Sequence, residues 1–263
     1  MKEKSPGIVA IIQARLGSSR LPGKVLKEVQ GRPLLSYMLE RVAQSAYIGQ
    51  IVVAITNRSQ DDPIVDCCHK EGIAVFRGDE DDALDRYYQC ASSFHADTIV
   101  RLTADCPLMD PKVIDAVVAE YISGNYDYVA NTIPPNATFP DGMDVEVFSF
   151  AALERAWREA RKPSEREHVT FYFWKNTDCF KTHRYDLEES LSHYRLTVDY
   201  PEDFEVVSKI LSELYPRNAN FTMQDIISFL MRHPEIQKNN ASIASNQGWE
   251  VSLEKDKHTW REI

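Results

Sequence analysis

The sequence predicts an α/β fold in which a mostly parallel sheet carries helices on both faces. Three observations predict it. Short apolar runs of strand length alternate with stretches of helical periodicity. The first run, residues 7–14, is apolar throughout, as in a strand covered on both faces. A turn rich in Gly, Ser and basic residues follows it at once. With 263 residues, 43% of them hydrophobic, the chain can bury a sizeable core as one large domain with elaborations.

After Gly31-Arg32-Pro33, the residues Leu34, Leu35, Met38, Leu39 and Val42 recur at the spacing of one helix face. Residues 51–55 read as a second buried strand, 63–70 as a helix, 73–76 as a strand, 83–94 as a helix and 98–102 as a strand. Repeated strand-helix-strand units give parallel neighbours joined by crossovers. A further helix is expected from Pro111 to about residue 123, with Asp110 as its cap, followed by a strand at 127–131. The turn-rich stretch 133–142 leads into a strand at 145–148. Residues 150–161 and 165–174 read as helices, 194–198 as a returning strand, and 202–214 and 223–232 as closing amphipathic helices. The regular alternation weakens between about 150 and 195, which is expected to be an inserted lobe in a domain spanning 1–235. Residues 236–263 are polar with isolated Trp249 and Trp260, a tail that is loosely ordered or packed through a few aromatics.

A formal charge of −10 argues against a general nucleic-acid binder, because such binding relies on Lys and Arg neutralising phosphates. The five cysteines are scattered, with Cys67 and Cys68 adjacent and no CxxC pair, which fits neither a disulfide framework nor a zinc site. The first apolar run is short and soon meets Arg15, so it suits a buried strand better than a signal peptide or membrane span. A cytoplasmic protein with no membrane or nucleic-acid partner is expected.

The most informative stretch is RLGSSRLPGK, residues 15–24. Gly17 and Gly23 permit close backbone approach, Ser18 and Ser19 add hydroxyls, and backbone N–H groups can line an anion-binding concavity. Arg15, Arg20 and Lys24 can neutralise a triphosphate, while Pro22 stiffens the turn. The spacing is neither GxxxxGK[ST] nor GxGxxG, so neither a P-loop NTPase nor an NAD enzyme is favoured. Taken alone, the same residues also suit a solvated basic turn.

The loop and its continuation, QARLGSSRLPGKVLKEVQGRPLL, resemble the nucleotide-binding start of bacterial sugar-acid cytidylyltransferases. They are close to CMP-KDO synthetases, closer to the SpsF-like group, and more distantly similar to acylneuraminate cytidylyltransferases. Further similarity lies in Arg77-Gly78-Asp79, TADCPLMD, FPDGMDVEVF, REHVT and LTVDYPEDF, covering most of residues 8–210. The resemblance implies a Rossmann-like, three-layer α/β/α nucleotide-diphospho-sugar transferase fold, CTP and a small acidic sugar as substrates, Mg²⁺ as cofactor, and a homodimer with contacts from residues 150–195. It assigns Arg15, Arg20 and Lys24 to the CTP phosphates and the backbone near Ala14 to the nucleotide.

Asp105 falls just past an apolar strand, where an open α/β sheet presents its crevice, and Mg²⁺ needs only one or two carboxylates beside phosphates and waters. The resemblance makes Asp105 and Asp199 the metal ligands. Asp203, within the helix after Pro201, reads as an exposed charge on the helix dipole. Strand alternation directs Asp144 and Glu146 to one face, and with Asp141 they form an acidic surface that is either a solvent-facing edge or, by the resemblance, an acceptor contact. Arg77 and Asp79 are candidates for base or ribose, or form a surface turn. His168 is either an acceptor-site residue or a packing histidine. The expected reaction is in-line attack of an acceptor oxygen on the α-phosphorus of CTP, releasing pyrophosphate. Alternatives are nucleotidyl transfer to a sugar phosphate, polyol phosphate or phosphonate, and a silent nucleotide-binding subunit. The joint presence of Lys24, Asp105 and Asp199 argues against silence.

Overall fold

In the computed structural model, which describes residues 5–244, 249, 252–254 and 256, the apolar run of β1 (Ser5–Gln13) forms an interior strand of a seven-stranded sheet. Val9 and Ile11 face one apolar layer while Ala10 and Ile12 face the other, and all four are fully buried. That is why the run carries no polar alternation. A short hairpin, β2 (Glu28–Val29) and β3 (Arg32–Pro33), leads into α1 (Leu34–Val42) and then β4 (Ile48–Thr56), parallel to β1. Next, α2 (Asp62–Lys70) and β5 (Ala74–Gly78) extend the sheet on the same side. The chain then returns through α3 (Ala83–Ser93) to β6 (Thr98–Thr103), parallel to β1 on its other flank.

After α4 (Pro111–Gly124) come β7 (Tyr128–Ala130) and β8 (Glu146–Ser149), and β8 inserts antiparallel between β6 and β7. Asp110 caps α4 as expected, accepting the Lys112 N–H at 2.8 Å, and its second oxygen accepts the Met223 N–H at 2.6 Å. There follow α5 (Phe150–Glu159), α6 (Pro163–Glu167), α7 (Phe171–Lys175) and β9 (Thr182–Arg184), which pairs with β7 at the far edge. The chain continues through α8 (Pro201–Leu214), α9 (Met223–Arg232) and α10 (Pro234–Gln237). The strand order is β5-β4-β1-β6-β8-β7-β9, a mostly parallel α/β sandwich of the expected class. No helix among the described residues is long and apolar enough to cross a membrane. All five cysteines are free.

Two local expectations are corrected, and one strand is added. Residues 194–198 are not a strand of the sheet: the N–H groups of Leu196 and Thr197 go to the Asp141 carbonyl at 2.6 and 3.1 Å, and that of Val198 to the Asp105 carbonyl at 2.8 Å. The segment is tied to loops, with one isolated bridge between Asp141 and Arg195. Residues 165–174 do not form one helix, because Val169 adopts φ +52° and separates α6 from α7. The three-residue β9 was not expected. Residues 150–195 pack α5 on α3 and add β9 to the sheet, with Phe171, Phe173 and Phe180 turned into the chain's own core. Trp260 lies outside the described residues.

Candidate active site

Doubly wound sheets open a crevice where neighbouring strands send their chains in opposite directions, and here that point lies between the carboxyl ends of β1 and β6. The glycine- and serine-bearing loop leaves β1 and the Asp105 loop leaves β6. Two cavities meet there, one of about 450 Å³ beside the loop and one of about 390 Å³ beside β8, with Thr103 bordering both.

The loop is held by its backbone. Ala14 is buried and continues the ladder by donating to the Ala54 carbonyl at 3.1 Å. The Leu16 N–H donates to Asp61 Oδ1 at 2.7 Å, and the Gly23 N–H returns to the Leu16 carbonyl at 3.0 Å. Ser18 Oγ accepts from the Leu21 N–H at 3.3 Å, while Ser19 is exposed. Gly23 adopts φ +70°, a left-handed conformation natural to glycine. At Gly17 a Cβ would come within 2.9 Å of the Gln60 amide nitrogen. The fully buried Asp61, which sequence reasoning missed, also accepts from the Thr56 hydroxyl at 2.5 Å, so it fastens the loop to the end of β4.

The predicted cations and carboxylates do converge. Lys24 Nζ lies 2.7 Å from Asp105 Oδ2 and 2.7 Å from Asp199 Oδ1, although these residues are far apart in sequence. Arg20 Nη2 also reaches Asp199 Oδ1 at 2.7 Å and its guanidinium sits 5.0 Å over the Tyr200 ring. Arg15 is exposed and has no hydrogen bond or ion pair among the described residues. Burial disfavours the charged form of Lys24, but Asp105 and Asp199 outweigh it and raise the pKa. Burial likewise opposes ionisation of Asp105, yet the Lys24 ammonium brings it down to about 2. Among the described residues no group of three or more His, Cys, Asp or Glu side chains forms a metal cluster. Two carboxylates converging on one cation nevertheless fit the modest protein ligation of Mg²⁺.

A second cation organises these acids from behind. Arg195 bonds Asp141 at 2.7 Å, Asp199 at 3.2 Å and Asp203 at 2.8 Å. Asp203 is thus fully buried, which corrects the exposed first-turn reading; its Oδ2 also accepts the Asp199 and Tyr200 N–H groups at 3.0 Å each. Neither Arg195 nor the role of Asp203 was legible beforehand, because their pairing depends on the Asp141 loop coming alongside. That approach requires Gly142: with φ +104°, any Cβ there would lie 2.4 Å from the Thr197 nitrogen.

The neighbouring cavity is lined by Asp141, Asp144, Glu146 and His168. Burial, then the nearby Asp141, Glu146 and Asp105, push the Asp144 carboxyl well above the usual range. Glu146 is not a solvent-facing edge: it is buried, pairs with Arg101, and accepts from the Tyr128 and Thr170 hydroxyls at 2.6 and 2.7 Å. Burial depresses His168 to about 4, so the ring is neutral, stacked on Phe171 with centroids 4.4 Å apart. Arg77 and Asp79 are not brought to either cavity. Arg77 reaches Asp62 at 2.5 Å, and Asp79 Oδ1 accepts the Asp81 and Asp82 N–H groups at 2.8 and 3.0 Å, a surface turn.

This geometry has relatives. A family model described as cytidylyltransferase matches residues 9–219. The spore coat polysaccharide biosynthesis protein SpsF of Bacillus subtilis is 32% identical over 237 residues, covering 87% of this chain and 95% of that protein. A 3-deoxy-manno-octulosonate cytidylyltransferase of Geobacter sulfurreducens is 34% identical over 114 residues, 43% of this chain and 44% of that one. The structure of a cytidylyltransferase from Leptospira borgpetersenii superposes with a TM-score of 0.83 at 37% identity, covering 89% of this chain and 97% of that one. With the loop, the converging carboxylates and the sheet in agreement, the chain belongs to the cytidylyltransferase family, and with it to the CTP-dependent nucleotidyltransferases.

Proposed function

We propose that the protein transfers CMP from CTP to a hydroxyl of a small polyhydroxylated acceptor, a KDO-like or nonulosonic sugar acid, and releases pyrophosphate. The convergence of Asp105 and Asp199 on Lys24, at the meeting of the two cavities, is the observation that carries this reading. Arg15, exposed at the mouth of the loop-side cavity, receives the triphosphate first, and Arg20 and Lys24 exchange carboxylate partners for phosphate oxygens as CTP enters. Gly17, Ser18, Ser19 and Gly23 offer backbone and hydroxyl donors to the same oxygens. Asp105 and Asp199 would hold Mg²⁺. When bound, that ion supplies charge neutralisation on the triphosphate and acidifies a nearby hydroxyl. Arg195 keeps Asp199 aimed into the site, and pyrophosphate departs toward the Arg15 side. Asp141 and Asp144 hydrogen-bond the acceptor, whose hydroxyl oxygen attacks the α-phosphorus in line as the bond to pyrophosphate breaks and the hydroxyl proton passes to solvent. Catalysis here is positioning and charge neutralisation, without a covalent enzyme intermediate.

The name of the Bacillus relative supports a place in surface polysaccharide synthesis, and that of the Geobacter relative supports a sugar-acid acceptor. A cytoplasmic homodimer, with contacts from residues 150–195, is part of the proposal on the strength of the resemblance. A pyrophosphate-release screen crosses CTP, UTP, GTP and ATP with sugar acids, polyols, sugar phosphates and phosphonates. CTP is expected to outperform the other nucleotides by more than about tenfold. Equal use of UTP or ATP would remove the cytidylyl reading.

A further inference from the structure

The family-matched residues end at 219, yet side chains well beyond them border both cavities. Asn240 Nδ2 donates to the Arg195 carbonyl at 3.1 Å and to Asp203 Oδ1 at 2.8 Å, joining the stretch after α10 to the carboxylate cluster. Asp256 accepts from the Ser164 N–H and hydroxyl at 2.9 and 2.6 Å. Between these anchors Ser252 borders the loop-side cavity and Trp249 the acceptor-side one. Trp249 lies edge-on to Phe171, with centroids 5.1 Å apart, and near-parallel to Trp174 at 6.2 Å. Ser252 Oγ donates to Glu167 Oε2 at 2.8 Å, and its contact with His168 Nε2 is also 2.8 Å. A hydroxyl has one proton, so in this arrangement the His168 Nε2–H donates to Ser252, and Nδ1 remains as the acceptor of the neutral ring.

We infer that Trp249 and Ser252 position the acceptor, Trp249 offering an aromatic wall to a sugar-like ring and Ser252 fixing the orientation of His168. The inference rests on the cytidyl-transfer reading above. A pyranose-like ring has a C–H face that is apolar and a periphery of hydroxyls. The acceptor-side cavity has the matching division: Phe171, Trp174 and Trp249 make an aromatic side, while Asp141 and Asp144 make an acidic one. Arg101 also borders this space, between the two sides, and its Nε is buried without a partner among the described residues. An open-chain acceptor has no flat face to lay on the indole, so Trp249 discriminates ring from chain.

The test uses the full chain and its Trp249→Ala and Trp249→Phe variants. CTP binding is measured by calorimetry, and pyrophosphate release is measured with CTP plus 3-deoxy-manno-octulosonate, N-acetylneuraminate, sorbitol or glycerol 3-phosphate. The expected result is turnover with a cyclic probe, a rise of about tenfold in acceptor KM for Trp249→Ala, recovery of most of that loss in Trp249→Phe, and unchanged CTP affinity. An unchanged acceptor KM, a parallel fall in CTP affinity, or open-chain probes serving as well as cyclic ones would overturn the inference. CTP binding without turnover on any cyclic probe overturns the ring assignment alone, whereas failure to bind CTP overturns the underlying function.

Discussion

The two cavities that meet at Thr103 are both polar, but they hold their charges in opposite ways. Beside the loop, Arg15 is exposed and has no ion pair among the described residues, Arg20 is about one-third exposed, and the Lys24 ammonium is shared between two carboxylates that retain solvent access. Those contacts can be exchanged when a polyanion arrives. Beside β8, the buried Glu146 pairs with the mostly covered Arg101, and the Tyr128 and Thr170 hydroxyls complete Glu146. Breaking that network strands a charge away from water. The first cavity is thus built for charge transfer between partners, and the second for shape with fixed polarity. Substitutions of these charged groups should therefore separate into losses of rate at the loop and losses of stability at the Glu146 network.

The largest effect is expected at the loop side. Asp105→Asn and Asp199→Asn should each lower turnover by roughly two to three orders of magnitude while leaving the urea midpoint close to that of the parent. The double variant should be little worse than the poorer single, since both serve one assembly. Turnover against magnesium concentration for all three variants checks this. Wild-type magnesium dependence in Asp199→Asn, with Asp105→Asn inactive, would return Asp199 to a structural role. At the other cavity, Glu146→Ala should cost about 3–5 kcal/mol of stability, because it leaves Arg101 charged and buried without its partner. Urea unfolding measures it directly, and a loss under 1 kcal/mol would show that the network is as exchangeable as the loop.

The smallest effect sharpens the comparison through pH. His168 is held neutral, with its pKa lowered to about 4, whereas in the unfolded chain it titrates near its ordinary 6.5. Between those values the unfolded state binds more protons, so this residue's contribution is fully present above about pH 6.5 and is lost as pH falls toward 4. His168→Gln should flatten that part of the stability profile. Urea midpoints at several pH values across the window, for parent and variant, give the difference; parallel profiles would mean that the ring is solvated enough to titrate normally.

What the sequence disclosed follows the same division. The loop and Asp105 lie directly after apolar strands, so local pattern and the geometry of parallel sheets already brought them to one crevice. Asp110 could be assigned as a cap because Pro111 marks the helix start. The network behind Asp199 was hidden for the converse reason. Residues 194–198 have the composition of a strand, but their hydrogen bonds go to the loops of Asp141 and Asp105, and it is this long-range pairing that buries Asp203 under Arg195. Trp249 carried no periodic neighbours to mark it, and only the Phe171 and Trp174 it packs against give it a place. The three-residue β9 is held at the sheet edge by β7 and is too short for a two-residue period to register.

Val169 has a consequence for which substitutions the acceptor side can accept. This fully buried, β-branched residue holds φ +52°, a conformation that costs a non-glycine residue about 1–3 kcal/mol, so its isopropyl packing must offset that cost. Exchange for Gly gives up the packing but releases the strain, and the two nearly cancel. Exchange for Ala gives up most of the packing and keeps the strain. Tolerance at this position therefore runs opposite to ordinary helix preference, with Ala the poorer replacement and residues at ease in left-handed backbone the better ones.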